Sequence, residues 1–186
     1  MYVRLSSFLM FGLISTMLSM SCDMDAQALP VFPDDWLGVW EGELRLGKHD
    51  DTTVRKFAMT LQIQETDTAG TWDWIITYGE GEQADVREYS LVAKDSSYTH
   101  FVIDEHNSII LDQYRIGNRM YSRFSVDSTD LTVIYRLEGD VLESEMWSGK
   151  TTGTRTGENI PEEEGSFSIF TYPLKVVQLS RLIRKR

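Results

Sequence analysis

From Trp36 onward the chain repeats with a period of two. In WLGVWEGELRL the even positions are Trp36, Gly38, Trp40, Gly42, Leu44 and Leu46, and Glu41, Glu43 and Arg45 fall between them. RKFAMTLQIQ sets Phe57, Met59, Leu61 and Ile63 against Lys56, Thr60, Gln62 and Gln64, and TWDWIITY aligns Trp72, Trp74, Ile76 and Tyr78. Such alternation describes strands with one face in a core and the other in water. It recurs less strictly over 86–93, 99–104, 108–116, 119–126, 131–138 and 141–148, and in a long closing stretch near 167–184. Turn-forming residues separate most segments, as at Gly79-Glu80-Gly81, Gly117-Asn118, Asp127-Ser128 and Gly139-Asp140. No segment carries helical periodicity. At 41% hydrophobic and 25% charged residues, the chain has the composition of a globular domain.

About ten strands joined by short connections would leave exposed sheet edges unless the sheet closes on itself. The expectation is therefore an all-β protein with a single antiparallel up-and-down β-barrel. A two-sheet β-sandwich gives the same alternation and is the alternative.

Gly38-Val39-Trp40-Glu41-Gly42, on the first expected strand, resembles the G-x-W motif that opens the lipocalins, the fatty-acid-binding proteins and the nitrobindin-like barrels. The resemblance implies that Trp40 plugs the closed end and that an arginine of the last strand lies across it. In the closing stretch Val177, Leu179 and Ile183 share a face, and Arg181 is in phase with them. Arg181 is thus the residue expected over Trp40, within about 6 Å of its ring, with Arg184 in solvent. The alternative is that Trp40 is an ordinary core aromatic. Nitrobindin-like barrels hold haem through a histidine near the C-terminus. KVVQLSRLIRKR contains none, so neither haem nor any other cofactor is expected.

The N-terminus reads as a targeting segment. Residues 1–21 hold one charge, Arg4, followed by the apolar, serine-containing stretch LSSFLMFGLISTMLSMS, as in a secretory signal peptide. The single cysteine follows it, and LSMSC resembles a bacterial lipobox with Cys22 as the acylated residue. A simple secreted protein with an incidental cysteine is the alternative. Acyl chains on Cys22 would tie the protein to a membrane, each buried methylene contributing roughly 0.8 kcal/mol. Residues 22–35, with two prolines and four aspartates, read as a tether, and 36–186 as the barrel. The implied location is the bacterial cell envelope, with the outer membrane favoured over the inner.

Acidic residues outnumber basic ones by 29 to 18, which argues against nucleic acid as a partner. There is no H-E-x-x-H, no G-x-S-x-G, no phosphate-binding glycine loop and no cysteine beyond Cys22, so no catalytic residues are expected and the chain reads as non-enzymatic. Asp104, Glu105, His106 and Asn107 offer metal-type donors at close range, but such residues are favoured in hairpin turns, and a turn is the expectation. His49 sits in another probable turn, and His100 opens a strand.

Trp72, Trp74, Tyr78, Phe124 and Tyr135 fall on inward faces and are the candidates for lining a ligand cavity. A carrier needs roughly several hundred cubic ångströms of such space. Residues 149–166 read as a long connection without regular structure, with disorder the favoured reading and a lid over the mouth or a partner contact the alternative. The functional expectation is a lipid-anchored barrel that binds a small apolar ligand. The rival is a structural or protein-interaction module with a filled core.

Overall fold

The computed structural model describes residues 29–159 and 167–186, with side chains assigned outside 157–159 and 167. Signal segment 1–21 and Cys22 lie outside the described residues. The strands are β1 (Gly38–Lys48), β2 (Asp51–Glu65), β3 (Thr71–Tyr78), β4 (Asp85–Ala93), β5 (His100–Asp104), β6 (Ile110–Ile116), β7 (Arg119–Val126), β8 (Thr129–Glu138), β9 (Val141–Lys150), β10 (Thr154–Asn159), β11 (Phe167–Thr171) and β12 (Leu174–Arg184). One short 3₁₀ turn, Gly81–Gln83, interrupts them.

Ten strands close into an antiparallel up-and-down barrel in the order β1-β12-β9-β8-β7-β6-β5-β4-β3-β2. Closure pairs Trp40 with Arg184 and Lys48 with Val176, so the first and last barrel strands cover each other's edges. Most hydrophobic positions of β1, β2 and β3 point inward as the alternation requires, although Phe57 is exposed. Trp40, Leu44, Met59, Leu61, Ile63, Trp72, Trp74 and Ile76 are all buried. Gly42 permits the close approach of β12, because a Cβ there would meet the Arg181 carbonyl oxygen at 2.1 Å.

Three features differ from the sequence reading. Part of the connection 149–166 is regular: β9 continues to Lys150, and β10 pairs with β11 in a separate two-stranded sheet. The remaining residues, 160–166, lie outside the described residues. The closing stretch is also two strands, β11 and β12, rather than one.

The second difference is at the N-terminus, where residues 31–37 form a tight turn rather than open tether. The Asp35 N–H donates to the Val31 carbonyl at 3.0 Å and the Trp36 N–H to the Pro33 carbonyl at 2.8 Å. The turn drives Phe32 and Trp36 into one end of the barrel, where both are buried. Phe32 packs edge-on against Trp72 and Phe101 at ring separations of 4.8 and 4.9 Å. Trp36 Nε1 is sealed there without a hydrogen-bond partner among the described residues. A polar group so placed costs about 1–3 kcal/mol, which the surrounding aromatic packing must offset.

The third is a correction to barrel closure. Arg184, not Arg181, lies over Trp40, with its guanidinium carbon 4.1 Å from the ring centroid. The inward set of β12 is Gln178, Ser180, Leu182 and Arg184, whereas Leu179, Arg181 and Ile183 face outward. Arg181 binds the Glu143 carboxylate at 2.7 Å on the outer surface. A shift of one residue in phase moves every side chain of a strand to the other face. Hydrophobicity alone misassigns the phase here because β12 carries apolar residues on both faces.

Candidate ligand-binding site

The two ends of the barrel are built differently. At the closed end Arg184 locks the N-terminal turn. Its guanidinium donates to the Leu37 and Asp35 carbonyl oxygens and pairs with Asp140 at 3.3 Å. Trp40 Nε1 donates to the Trp36 carbonyl at 3.0 Å. Above this plug Leu61, Ile63, Leu91, Met120, Leu137, Leu142 and Leu182 fill the section completely.

Toward the other end the packing opens into a cavity of about 140 Å³. Its apolar wall includes Leu44, Met59, Trp74, Ile76, Ile103 and Val133, and its polar groups come from Gln113, Ser122, Tyr135, Ser144 and Gln178. Arg87 and Glu105 stand at the mouth end. Four of the five aromatics expected from the sequence, Trp74, Tyr78, Phe124 and Tyr135, line this space. Trp72 does not. It sits one step deeper on β3 and belongs to the closed-end cluster, edge-on to Phe32 and to Tyr98 at 5.5 Å. The cavity is smaller than the several hundred cubic ångströms expected for a carrier, and Met59, Ile76 and Met146 are among the side chains that border it.

The rings are mutually ordered. Trp74 and Tyr135 meet edge to face at 5.1 Å. Burial pushes the Tyr135 phenol well above its usual range, so it stays a neutral hydrogen-bonding group. Burial also raises Tyr78, against the lowering influence of the Arg87 charge. The Arg87 guanidinium lies 5.3 Å from the Tyr78 ring centroid and donates to Asp85 at 3.0 Å. Burial works to lower the Arg87 pKa, but hydrogen bonds to Asp85 and Tyr89 hold it above its usual value. This end of the cavity therefore holds a guanidinium against an aromatic ring, with Asp85 as its counter-ion.

Glu105 is the one carboxylate in this lining. Acid–base chemistry by a pair of carboxylates thus has no second member at the cavity. The three histidines lie elsewhere. His100 Nε2 pairs with Asp112 at 2.8 Å and its ring stacks on Tyr114, on the outer face of the barrel. In the β5–β6 turn the His106 N–H donates to Asp104 Oδ1 at 2.8 Å and the Ile109 N–H to Asn107 Oδ1 at 3.0 Å, so these donors hold the backbone of a turn. Among the described residues, no three metal-binding side chains converge.

Gln113, Ser122 and Arg87 also line the cavity, and an aromatic criterion does not find them. Their signal was phase: Gln113 alternates with Leu111 on β6, and Ser122 with Met120 and Phe124 on β7.

Fold and cavity together define an all-β barrel with a packed closed end and a small internal pocket. No family model matches the chain, and no curated protein does. Among solved structures, it resembles a protein of unknown function from the DUF3598 family of Nostoc punctiforme, with a TM-score of 0.59 and 14% identity, over 86% of this chain and 51% of that one. The chain spans about half the length of that structure, and the likeness shows the fold alone.

Proposed function

We propose that this protein is a bacterial envelope lipoprotein, anchored through Cys22, whose barrel binds a small and largely apolar molecule without chemically converting it. The observation that carries the reading is the cavity itself. Trp74 and Tyr135 are buried and Tyr78 and Phe124 half-buried, yet the four leave a space between them that the leucines below do not leave. At about 140 Å³ the space suits a ligand the size of one ring, since an apolar cavity near 150 Å³ holds benzene. Anchoring to the bilayer fits better than spanning it. The outer wall carries ion pairs such as Arg181–Glu143 and Arg123–Asp130, where a spanning barrel presents an apolar band. The outer membrane is the favoured destination.

One observation favours the rival reading of an interaction module. The β10–β11 hairpin leaves the barrel at the mouth end and exposes Ile169 and Phe170, with Tyr172 and Leu174 exposed beside it. Such a projecting apolar edge suits contact with another envelope component.

Native mass spectrometry of protein from its own host, combined with titration of an environment-sensitive apolar probe, tests the ligand reading. The expected result is a co-purifying small molecule or a probe that alters tryptophan emission. A native state that carries no small molecule and excludes the probe would transfer the function to the hairpin. The anchor is tested separately: radiolabelled fatty acid should enter the wild type and not Cys22→Ser.

A further inference from the structure

We infer that the cavity selects a ring-sized molecule bearing a hydrogen-bonding group, and that the Gln113 amide recognises that group. The inference rests on the cavity being the binding site.

Gln113 is 2% exposed, yet it lines the cavity. Its side chain makes one hydrogen bond among the described residues, donating Nε2–H to Met120 Sδ at 3.3 Å. A thioether is a weak acceptor, and the amide retains a second N–H and an oxygen with two lone pairs. The neighbouring serine hydroxyls are already engaged. Ser122 Oγ donates to the Asp112 carbonyl at 2.7 Å, and Ser144 and Ser180 share a hydrogen bond of 2.7 Å. Gln113 is therefore a buried amide with most of its hydrogen-bonding capacity unused, lining a space that it shares with the apolar Trp74, Ile103 and Val133 and with the polar ends of Tyr135 and Gln178.

The Gln113 side-chain oxygen is not among the sealed, unpartnered atoms of the described residues, so it opens onto the cavity, where whatever occupies the space must complete it. A purely hydrocarbon ligand would seal the amide away from water and leave it unpaired. A ligand with a hydroxyl, N–H or carbonyl on its ring would complete it. The volume sets the second half of the specificity. A long acyl chain needs a pocket in the several-hundred cubic ångström range, whereas one ring with a single polar substituent fits.

Phenol and toluene make the test, because they match in shape and differ by a hydroxyl in place of a methyl. Both are titrated into the purified full chain by calorimetry, with the Trp74 indole resonance reporting occupancy. An apolar cavity would favour toluene by about tenfold or more, since the hydroxyl loses its water without replacement. The expected result is that phenol binds more tightly than toluene. Gln113→Leu should then shift the ratio of affinities toward toluene by about tenfold or more. Toluene binding more tightly to the wild type overturns the inference while leaving the cavity as a binding site. A ratio unmoved by Gln113→Leu overturns the role of the amide. Should that variant fail to fold, Gln113→Met and the wild-type ratio supply the same decision. If neither compound shifts Trp74 nor produces heat, the cavity reading itself fails, and the inference with it.

Discussion

Arg184 and Arg181 stand three residues apart on one strand and do opposite work. Arg184 lies over the indole of Trp40, donates to two backbone carbonyls of the N-terminal turn and pairs with Asp140. Arg181 meets Glu143 at the surface with 64% of its side chain exposed. An exposed ion pair contributes about 0–1 kcal/mol. A partly shielded guanidinium over indole contributes roughly 0.5–2 kcal/mol, and its charged hydrogen bonds to the Leu37 and Asp35 carbonyls add to it. Arg184→Ala should therefore cost about 2–4 kcal/mol in chemical denaturation, and Arg181→Ala no more than about 1. Equal losses would mean that the stacking over Trp40 holds nothing together. The resemblance to G-x-W barrels correctly implied an arginine across Trp40, but choosing which one needed the register between β1 and β12. No feature of the last strand alone supplies that, because Leu179 and Ile183 are about half exposed, at 47% and 48%. A barrel's outer wall tolerates isolated apolar residues, so hydrophobicity does not mark the inward face.

At the level of elements, strands were legible where one face is charged and the other apolar, as in β2 and β3. They were obscure where function or surface blurred that contrast. β12 carries Gln178 and Ser180 inward, Gln178 at the cavity and Ser180 bonded to Ser144, and both broke the pattern that would have given its phase. The turns were legible from their residues, and one of them yields a pH dependence. In the β4–β5 turn Asp95 accepts from the Thr99 N–H at 2.9 Å, Thr99 Oγ1 at 2.8 Å, Ser97 Oγ at 3.0 Å and the His100 N–H at 2.9 Å. The backbone and hydroxyl bonds from Thr99, with those from Ser97 and His100, hold its carboxyl well below the usual carboxylate range. A carboxylate depressed by folding stabilises the native state above its unfolded pKa of roughly 3.9, and that contribution fades as pH falls through the folded value. Asp95→Asn should lower stability near neutrality and flatten its fall with acid below about pH 4. Urea midpoints for both proteins across that range check this, and parallel curves would show that the turn gains nothing from the charge.

At the scale of the whole molecule, the N-terminal turn decides where the domain begins. The two prolines and the aspartates around Phe32 read as tether, but Phe32 and Trp36 are spaced i and i+4, as on one side of a helical turn. That spacing was the available signal. The consequence is a polarity: the chain enters at the closed end beside the Arg184 clasp, and the cavity opens toward the end from which the β10–β11 hairpin projects. Phe32 is the keystone of this arrangement, buried to 4% exposure and in edge contact with Trp72 and Phe101. Truncating a fully buried phenylalanine costs about 3–5 kcal/mol, part of it for the cavity left behind. Leu29, three residues upstream, is 63% exposed, and its truncation should cost within about 0.5 kcal/mol. In the full chain, Phe32→Ala should therefore lower the denaturation midpoint far more than Leu29→Ala. It should also speed amide exchange at Trp36 and Leu37, whose N–H groups are held by the Pro33 carbonyl. If the two variants unfold together and exchange at those amides is unchanged, the turn is only tether and the barrel begins at Gly38.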